Sequence, residues 1–452
     1  MLTAHRVRTS LVLGAAGATV IAALLLGARP RVETSALVAS ADDGMRLTAE
    51  LTTGRILAGA HDHNLAIAIT APTGQGHARP PLSVAIVIDR SGSMNGEPME
   101  NAKEAASRLV GQLDAADAFT VVSYSTGDEV VMPMSRATDA NKTAARAAIS
   151  RIYDDGGTCL SCGLIRGASE LAQTPVSDGL RRIVLISDGQ ANAGIYDRGE
   201  LAQLAATTAA NGVSISAVGV GLDFDEVTMQ RIAEVGRGNY YFVEDTANLS
   251  AMFQRELGGL TETVASDAHL VISEPAGVRI EEAYGYPMTR EGRSVVIPVA
   301  DLRAGESRKV VLRVTVAQST LGSFDVSTVR LGWRRVDDGR SRTATAIVRA
   351  EVVEDARAVA ASVVPAASQA AEEAMSARAL EEATTVYESQ GYEAAKQVLD
   401  HRMQGVRANS HVGTGSLQKI QSANDDAIES FRAAAPAKAS KVGRVKAYEL
   451  AH

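Results

Sequence analysis

Between Leu82 and Leu260, short apolar runs alternate with stretches of helical periodicity, and this alternation restricts the fold more than any other feature of the chain. Ser83 to Ile88 (SVAIVI) and Arg182 to Ser187 (RIVLIS) are almost unbroken apolar runs. A strand buried on both faces reads this way, because neither side of its pleat meets water. Phe119 to Tyr124, Val213 to Val220 and Asn239 to Val243 read as further strands. Glu129 to Met132 reads as another, after a turn at Thr126-Gly127-Asp128. Glu97 to Leu113 carries Ala102, Ala106, Leu109 and Leu113 at helical spacing, with Pro98 where a first turn tolerates it. Asn141 to Ile152, Leu160 to Gln173, Glu200 to Ala210, Asp225 to Val235 and Leu249 to Leu257 are further helical stretches. Strands alternating with helices predict an α/β fold around a doubly wound, mostly parallel sheet over residues 82–260.

The flanks have a different rhythm. Arg46 to Thr52 and Asn64 to Thr70 precede this region as short β-rich segments. His269 to Ser273, Val278 to Tyr284, Ser294 to Val299, Lys309 to Val316, Ser323 to Leu331 and Thr343 to Val352 follow it. Such a pattern predicts an all-β, sandwich-like domain over residues 261–356. The β segments within residues 42–81 are expected to pair with it, so that the α/β domain is an insertion. From Pro365 the chain becomes helical and rich in alanine. Ala370 to Gln390 and Tyr392 to Arg402 flank Gly391 and predict a hairpin, with Leu417 to Ala433 as another helix, over residues 365–435. One such unit is not a repeat array, which needs about three units to be stable. Residues 436–452 carry Lys438, Lys441, Arg444 and Lys446, and are expected to be a solvated basic tail.

Arg6 and Arg8 precede an uncharged apolar run from Leu11 to Ala28. A positive start followed by an apolar stretch has the form of an export signal. As a helix its 18 residues reach about 27 Å at ~1.5 Å per residue, close to the ~30 Å bilayer core. Residues 1–41 therefore read either as a signal cut after Ala39-Ser40-Ala41 or as a membrane anchor with its tether in residues 11–28. Both readings place the remainder outside the cytoplasm: in the periplasm, in the cell envelope or secreted. The net charge of -8 supplies no basic face for nucleic acid.

The chemistry gathers at strand ends. Ser83–Ile88 runs into Asp89-Arg90-Ser91-Gly92-Ser93, and Arg182–Ser187 runs into Asp188-Gly189. In an open α/β sheet, ligands bind beyond the carboxyl ends of the strands, where the winding reverses. Neighbouring strands there would bring both Asp side chains into one crevice, and the loop Gly156-Gly157-Thr158 can add a hydroxyl. Singly, these pieces read as a helix N-cap or a plain turn. Together, Asp89, Ser91, Ser93, Thr158 and Asp188 form a set of oxygen donors. A hard cation wants about six oxygens and keeps waters readily. Mg²⁺ is the expected ion, with Mn²⁺ and Ca²⁺ as alternatives. An open position on it suits an Asp or Glu from a protein partner. Cys159 and Cys162 follow Thr158 directly. An oxidising compartment lets them pair, and a local disulfide would stiffen this loop. Free thiols, or a redox-active Cys-x-x-Cys at a helix start, are the other readings. His61-Asp62-His63 reads as a short polar turn, and Gly219-Val220-Gly221 lacks the third glycine of a dinucleotide fingerprint.

The three-part motif, Asp89-Arg90-Ser91-Gly92-Ser93 with Thr158 in Gly-Gly-Thr and Asp188 in Ser-Asp-Gly, resembles the metal-ion-dependent adhesion site of von Willebrand factor A domains. The likeness covers about residues 82–260. It implies that Ser91, Ser93 and Thr158 touch the ion directly, with Asp89 and Asp188 partly acting through water. It also implies adhesive protein binding rather than catalysis. Members of that family usually carry other residues where Cys159 and Cys162 stand. The β flanks and the exported start further resemble bacterial proteins of the calcium-activated chloride channel homologue type. The chain has no Gly-x-Ser-x-Gly, His-Glu-x-x-His or Gly-x-x-x-x-Gly-Lys-Ser/Thr pattern, so it is not expected to be an enzyme. A structural envelope protein whose ion only stabilises the fold is the alternative. A metal-dependent hydrolase stands behind both, since it needs a base or nucleophile beside the ion.

Overall fold

The computed structural model describes residues 39–40, 43–73, 81–174, 179–188, 190–220, 225–243, 262–433 and 436–451. The export segment and the stretch Leu249 to Leu257 lie outside these residues, as do Gly189 and Gly221. Among the described residues no helix is long and apolar enough to cross a membrane.

The chain opens with β1 (Ala39–Ser40), β2 (Arg46–Leu51), β3 (Arg55–Leu57) and β4 (Gly59–Thr70). It then enters the α/β region: β5 (Leu82–Asp89), α1 (Glu97–Gln112), β6 (Ala118–Tyr124), β7 (Asp128–Arg136), α2 (Asp139–Ile149), α3 (Leu160–Ala172), β8 (Leu180–Ser187), α4 (Arg198–Ala210), β9 (Val213–Val220), α5 (Glu226–Val235) and β10 (Arg237–Val243). These strands form one sheet in the order β10-β9-β8-β5-β6-β7, parallel except for β7 at one edge. The α/β class with a mostly parallel sheet is the one the alternation predicts. Every residue of β5 is buried, which accounts for its unbroken apolar run. Val84, Ile86 and Ile88 point to the face covered by α1, where Ala102, Ala106 and Leu109 meet them. Ala85 and Val87 point to the other face, towards Leu160 and Leu164 of α3.

The α/β region leaves one β sandwich and returns to it. β11 (Thr263–Ser273), β12 (Val278–Ala283), β13 (Thr289–Glu291), β14 (Ser294–Arg303), β15 (Ser307–Gln318), β16 (Gly322–Arg335) and β17 (Ser341–Val353) follow it. The two sheets run β1-β2-β4-β15-β12 and β13-β14-β11-β16-β17-β3. β4 pairs antiparallel with β15 along its whole length, and β3 lies parallel to β17. One core, with Leu65, Ile67, Leu270, Ile297, Leu312 and Val329 among its members, is shared between the sheets. His61-Asp62-His63 is part of β4 rather than a turn, opposite Val314, Thr315 and Val316. Twelve ladder positions outweigh the local turn preference of three polar residues.

A joint of buried charge connects the two bodies. Arg182, near the start of β8, donates from Nη2 to Asp301 Oδ2 of β14 at 2.9 Å and from Nη1 to Ser216 Oγ at 3.0 Å. Arg182 is 3% exposed. Burial raises the Asp301 carboxyl, while Arg182, Arg237 and Arg308 pull it back. Arg237, Asp267 and Ala300, the non-glycine residues with positive φ among the described residues, all lie at this joint, with Arg237 ion-paired to Asp267.

The remaining helices are α6 (Ala356–Ala360), α7 (Pro365–Gln390), α8 (Tyr392–Ala408), α9 (Thr414–Ala433) and α10 (Pro436–Ala451). α7 lies against the sandwich through Ala370, Ala371 and Ala374, which meet Tyr284 and Val311. The expected basic tail is instead α10, packed against α7 and α9, with Ala439, Ala447 and Leu450 buried. Two facts explain the difference. Small residues let the helices approach closely: a Cβ on Gly443 would stand 2.3 Å from Thr384 Oγ1. The basic side chains also find acidic partners, Lys441 with Glu226 at 3.7 Å, Arg444 with Glu226 and Glu388 at 3.2 and 2.9 Å, and Lys446 with Asp426 at 3.1 Å. Lys441 also lies over the Phe242 ring of β10.

Glu234 of α5 makes stability pH-dependent. Burial raises its carboxyl to about 7, against the hydrogen bond from Gln230 and the charge of Arg231. Its folded pKa thus exceeds the ordinary carboxyl value of 4.5, and the folded state binds the extra proton between these values. Stability from this group is full below about 4.5 and is lost as pH rises through about 7. The span corresponds to at most about 3 kcal/mol. Glu234→Gln is expected to raise the melting temperature at pH 8 and leave it nearly unchanged at pH 5. Equal differences at both pH values would contradict this.

Candidate metal centre

The switch point of the sheet lies between β5 and β8. From β5 the chain passes over one face to β6, and after β7 and α2, which lies on that same face, it crosses through α3 on the other face to β8, on β5's opposite side. Asp89 ends β5, and Asp188 follows the last residue of β8, which pairs in parallel with β5 up to Ile88 and Ile186. The two carboxylates therefore emerge side by side at the carboxyl edge.

Local hydrogen bonds assemble the donors. Ser91 N–H donates to Asp89 Oδ1 at 2.8 Å and turns the chain into a short 3-10 turn, Gly92–Met94. That turn brings Ser91 Oγ and Ser93 Oγ to 3.1 Å, and Ser93 Oγ donates to Asp188 Oδ1 at 3.0 Å. The Thr158 loop is drawn in by its backbone: Gly92 N–H donates to Gly156 O at 3.0 Å, and Asp155 N–H to Arg90 O at 2.7 Å. Gly156 has φ +74, and a Cβ there would stand 2.7 Å from Thr126 Oγ1, so glycine is required. Asp89, Ser91, Thr158 and Asp188 are buried, and Ser93 is exposed. Four of the five residues named from the sequence, Asp89, Ser91, Ser93 and Asp188, are thus linked directly, and the backbone of the loop that carries Thr158 is bonded to Arg90 and Gly92 beside them.

A supporting layer was not named from the sequence. Ser187 Oγ and Tyr124 OH donate to Asp89 Oδ2 at 2.5 and 3.3 Å. Tyr124 stands directly opposite Asp89 in the β5–β6 register, so its place at the end of an apolar run was the available signal. Asn192 clamps Thr158 from both sides: its Oδ1 accepts from Thr158 N–H at 2.7 Å, and its own N–H donates to Thr158 O at 3.0 Å. Nothing in the loop sequence marks Asn192. Cys159 and Cys162 are joined as a disulfide across the first turn of α3.

The donors fit a hard divalent cation. Around an octahedral ion with ~2.1 Å bonds, adjacent oxygens lie about 3.0 Å apart. The Ser91–Ser93 and Ser93–Asp188 separations of 3.1 and 3.0 Å match that edge. Burial raises the Asp89 carboxyl, and hydrogen bonds from Ser187, Ser91 and Tyr124 lower it. All three are neutral, so the buried negative charge is hydrogen-bonded without a cation among these donors. Arg90 turns away, stacking on Tyr153 and reaching towards Glu129 at 3.9 Å. The described residues hold no cluster of three His, Cys, Asp or Glu. Two carboxylates and three hydroxyls suit Mg²⁺ or Mn²⁺ better than a soft metal.

Residues 83–255 match the family model for the von Willebrand factor type A domain, and the chain contains such a domain within a larger α/β, β-sandwich and helical assembly. The chain is similar to "Uncharacterized protein sll0103" of Synechocystis sp., 27% identical over 287 residues, which is 61% of this chain and 66% of that one. It is also similar to "Uncharacterized protein YfbK" of Escherichia coli, 28% identical over 225 residues, or 49% of this chain and 39% of that one. The matches thus span less than two thirds of either relative. Among solved structures, a von Willebrand factor type A protein from Catenulispora acidiphila covers 93% of this chain and 97% of its own at a TM-score of 0.68 and 20% identity. That likeness is one of fold alone, and it extends beyond the α/β region.

Proposed function

We propose that this protein is an extracytoplasmic, metal-dependent protein-binding module, and that its cation takes an Asp or Glu from a partner. The observation that carries this reading is the convergence of two carboxylates and two serine hydroxyls at the switch point, with the Thr158 loop bonded beside them and Ser93 exposed. Hydroxyl-rich coordination leaves a bound cation electrophilic and able to accept another carboxylate oxygen. Ser91, Ser93 and Thr158 would hold the ion, and Asp89 and Asp188 would supply the charge. The match of residues 83–255 to the von Willebrand factor type A domain, a kind that typically mediates protein interaction, supports this. The Cys159–Cys162 bond supports an oxidising compartment.

The test is affinity capture from an envelope extract in Mg²⁺, with wild type and Asp89→Ala. A partner is expected with wild type and should vanish with chelator or with Asp89→Ala. Equal recovery in all three conditions would refute the reading. An Mg²⁺-induced rise in melting temperature without Mg²⁺-dependent capture would instead favour an ion that only stabilises the fold.

A further inference from the structure

Thr158 differs from the other proposed ligands in what holds it. Asp89, Ser91, Ser93 and Asp188 continue from the ends of two central strands. Thr158 sits between a glycine pair and a disulfide. Its peptide is fixed by Asn192 on both sides, and Ala193 N–H adds a bond to Thr158 O at 3.2 Å. The next residue, Cys159, donates its N–H to Ser125 O at 2.6 Å, and its carbonyl accepts from Cys162 and Gly163 at 3.0 and 3.3 Å.

The disulfide lies against the same loop that carries Asn192. A Cβ on Gly194 would stand 2.4 Å from Cys159 Sγ and 2.7 Å from Ser161 Oγ. Ser161 Oγ accepts from Ile195 N–H at 3.0 Å. The buried sulfur thus fits flush against the loop 190–195, with no room to move towards it. Cys162 is the less buried partner. Two thiols need van der Waals separation where one bond stood before. Since Cys159 is blocked by Gly194, opening the bond displaces either the first turn of α3 or the loop that holds Thr158 through Asn192.

We propose that the Cys159–Cys162 disulfide is a redox control of the metal centre: the bonded form holds Thr158 in place for the ion, and reduction loosens it and weakens metal binding. This rests on the metal reading above. The co-reactant is an external dithiol. Its thiolate attacks Cys162 Sγ and expels Cys159 as a thiolate. Its second thiolate then resolves the mixed disulfide and releases Cys162. Two electrons pass to the protein sulfurs, which take up two protons, and the dithiol leaves as a disulfide.

The experiment titrates the full chain with Mn²⁺, following free ion by electron paramagnetic resonance. It compares the oxidised protein with protein reduced and desalted without oxygen. Thiol counting confirms each state. The oxidised form is expected to bind at least tenfold more tightly. Cys159→Ser/Cys162→Ser should bind like the reduced form and ignore reductant. Equal affinity in the two wild-type states would overturn the redox control while leaving the metal centre standing. No Mn²⁺ binding in either state would overturn both. The wild-type comparison needs no substitution, so misfolding of the double variant cannot obscure the result.

Discussion

Asp301→Ala is expected to lower the free energy of unfolding by about 3–5 kcal/mol, the usual result of stripping one partner from a buried ion pair. Arg182 is almost fully enclosed, and Asp301 supplies its counter-charge at 2.9 Å. Arg237 and Arg308 also act on this carboxylate. Without it, three guanidinium groups would face a joint with no opposing charge from Asp301. Ser216, which also accepts from Arg182, is neutral. Urea titration followed by circular dichroism gives the measurement, with the midpoint moving and the slope constant. Arg182→Met/Asp301→Leu should recover most of the loss, because replacing both charges removes the unpaired ion. A loss below about 1 kcal/mol in the single variant would mean that water already reaches the joint.

Asp89→Asn should reduce Mn²⁺ affinity on the order of a hundredfold or more, yet leave the metal-free protein as stable as wild type, or more so. The two effects share one cause. Asp89 is buried with a negative charge met by Ser91, Ser187 and Tyr124, all neutral. An amide keeps the shape and removes the charge that burial opposes. Its Oδ1 can still accept from Ser91 N–H, but the other position would meet Ser187 and Tyr124 as a donor, and both hydroxyls can turn to accept. Thermal melts with and without Mn²⁺ separate the two effects. A large fall in the metal-free melting temperature would show that Asp89 serves the fold rather than an ion.

The parts legible in the sequence were those in which burial writes directly onto residue type. Val84–Ile88 of β5 and Ile183–Ile186 of β8 are buried, so both stretches are purely apolar, and the Asp that follows near the end of each stands out. The parts that were not legible depend on partners far along the chain. Arg182 and Asp301 are 119 positions apart, and neither local pattern mentions the other. α10 hid because its buried residues include small ones, Ala439, Gly443 and Ala447, and the buried Lys441, whose charge suggested solvent. Asn192 hid because its side-chain Oδ1 meets a backbone N–H of Thr158, 34 positions away, and no local pattern marks such a pairing.

The placement of the α/β domain bears on mechanical load. A partner gripped at the metal face would pull on a domain joined to the sandwich at both of its ends, through β4 and β11. Neither strand is an edge: β4 lies between β2 and β15, and β11 between β14 and β16. Tension would thus divide between two connections, and freeing either one requires breaking two rows of hydrogen bonds. The proposed metal ligands stand at the far end of β8 from the Arg182 joint, roughly 20 Å away at ~3.3 Å per residue.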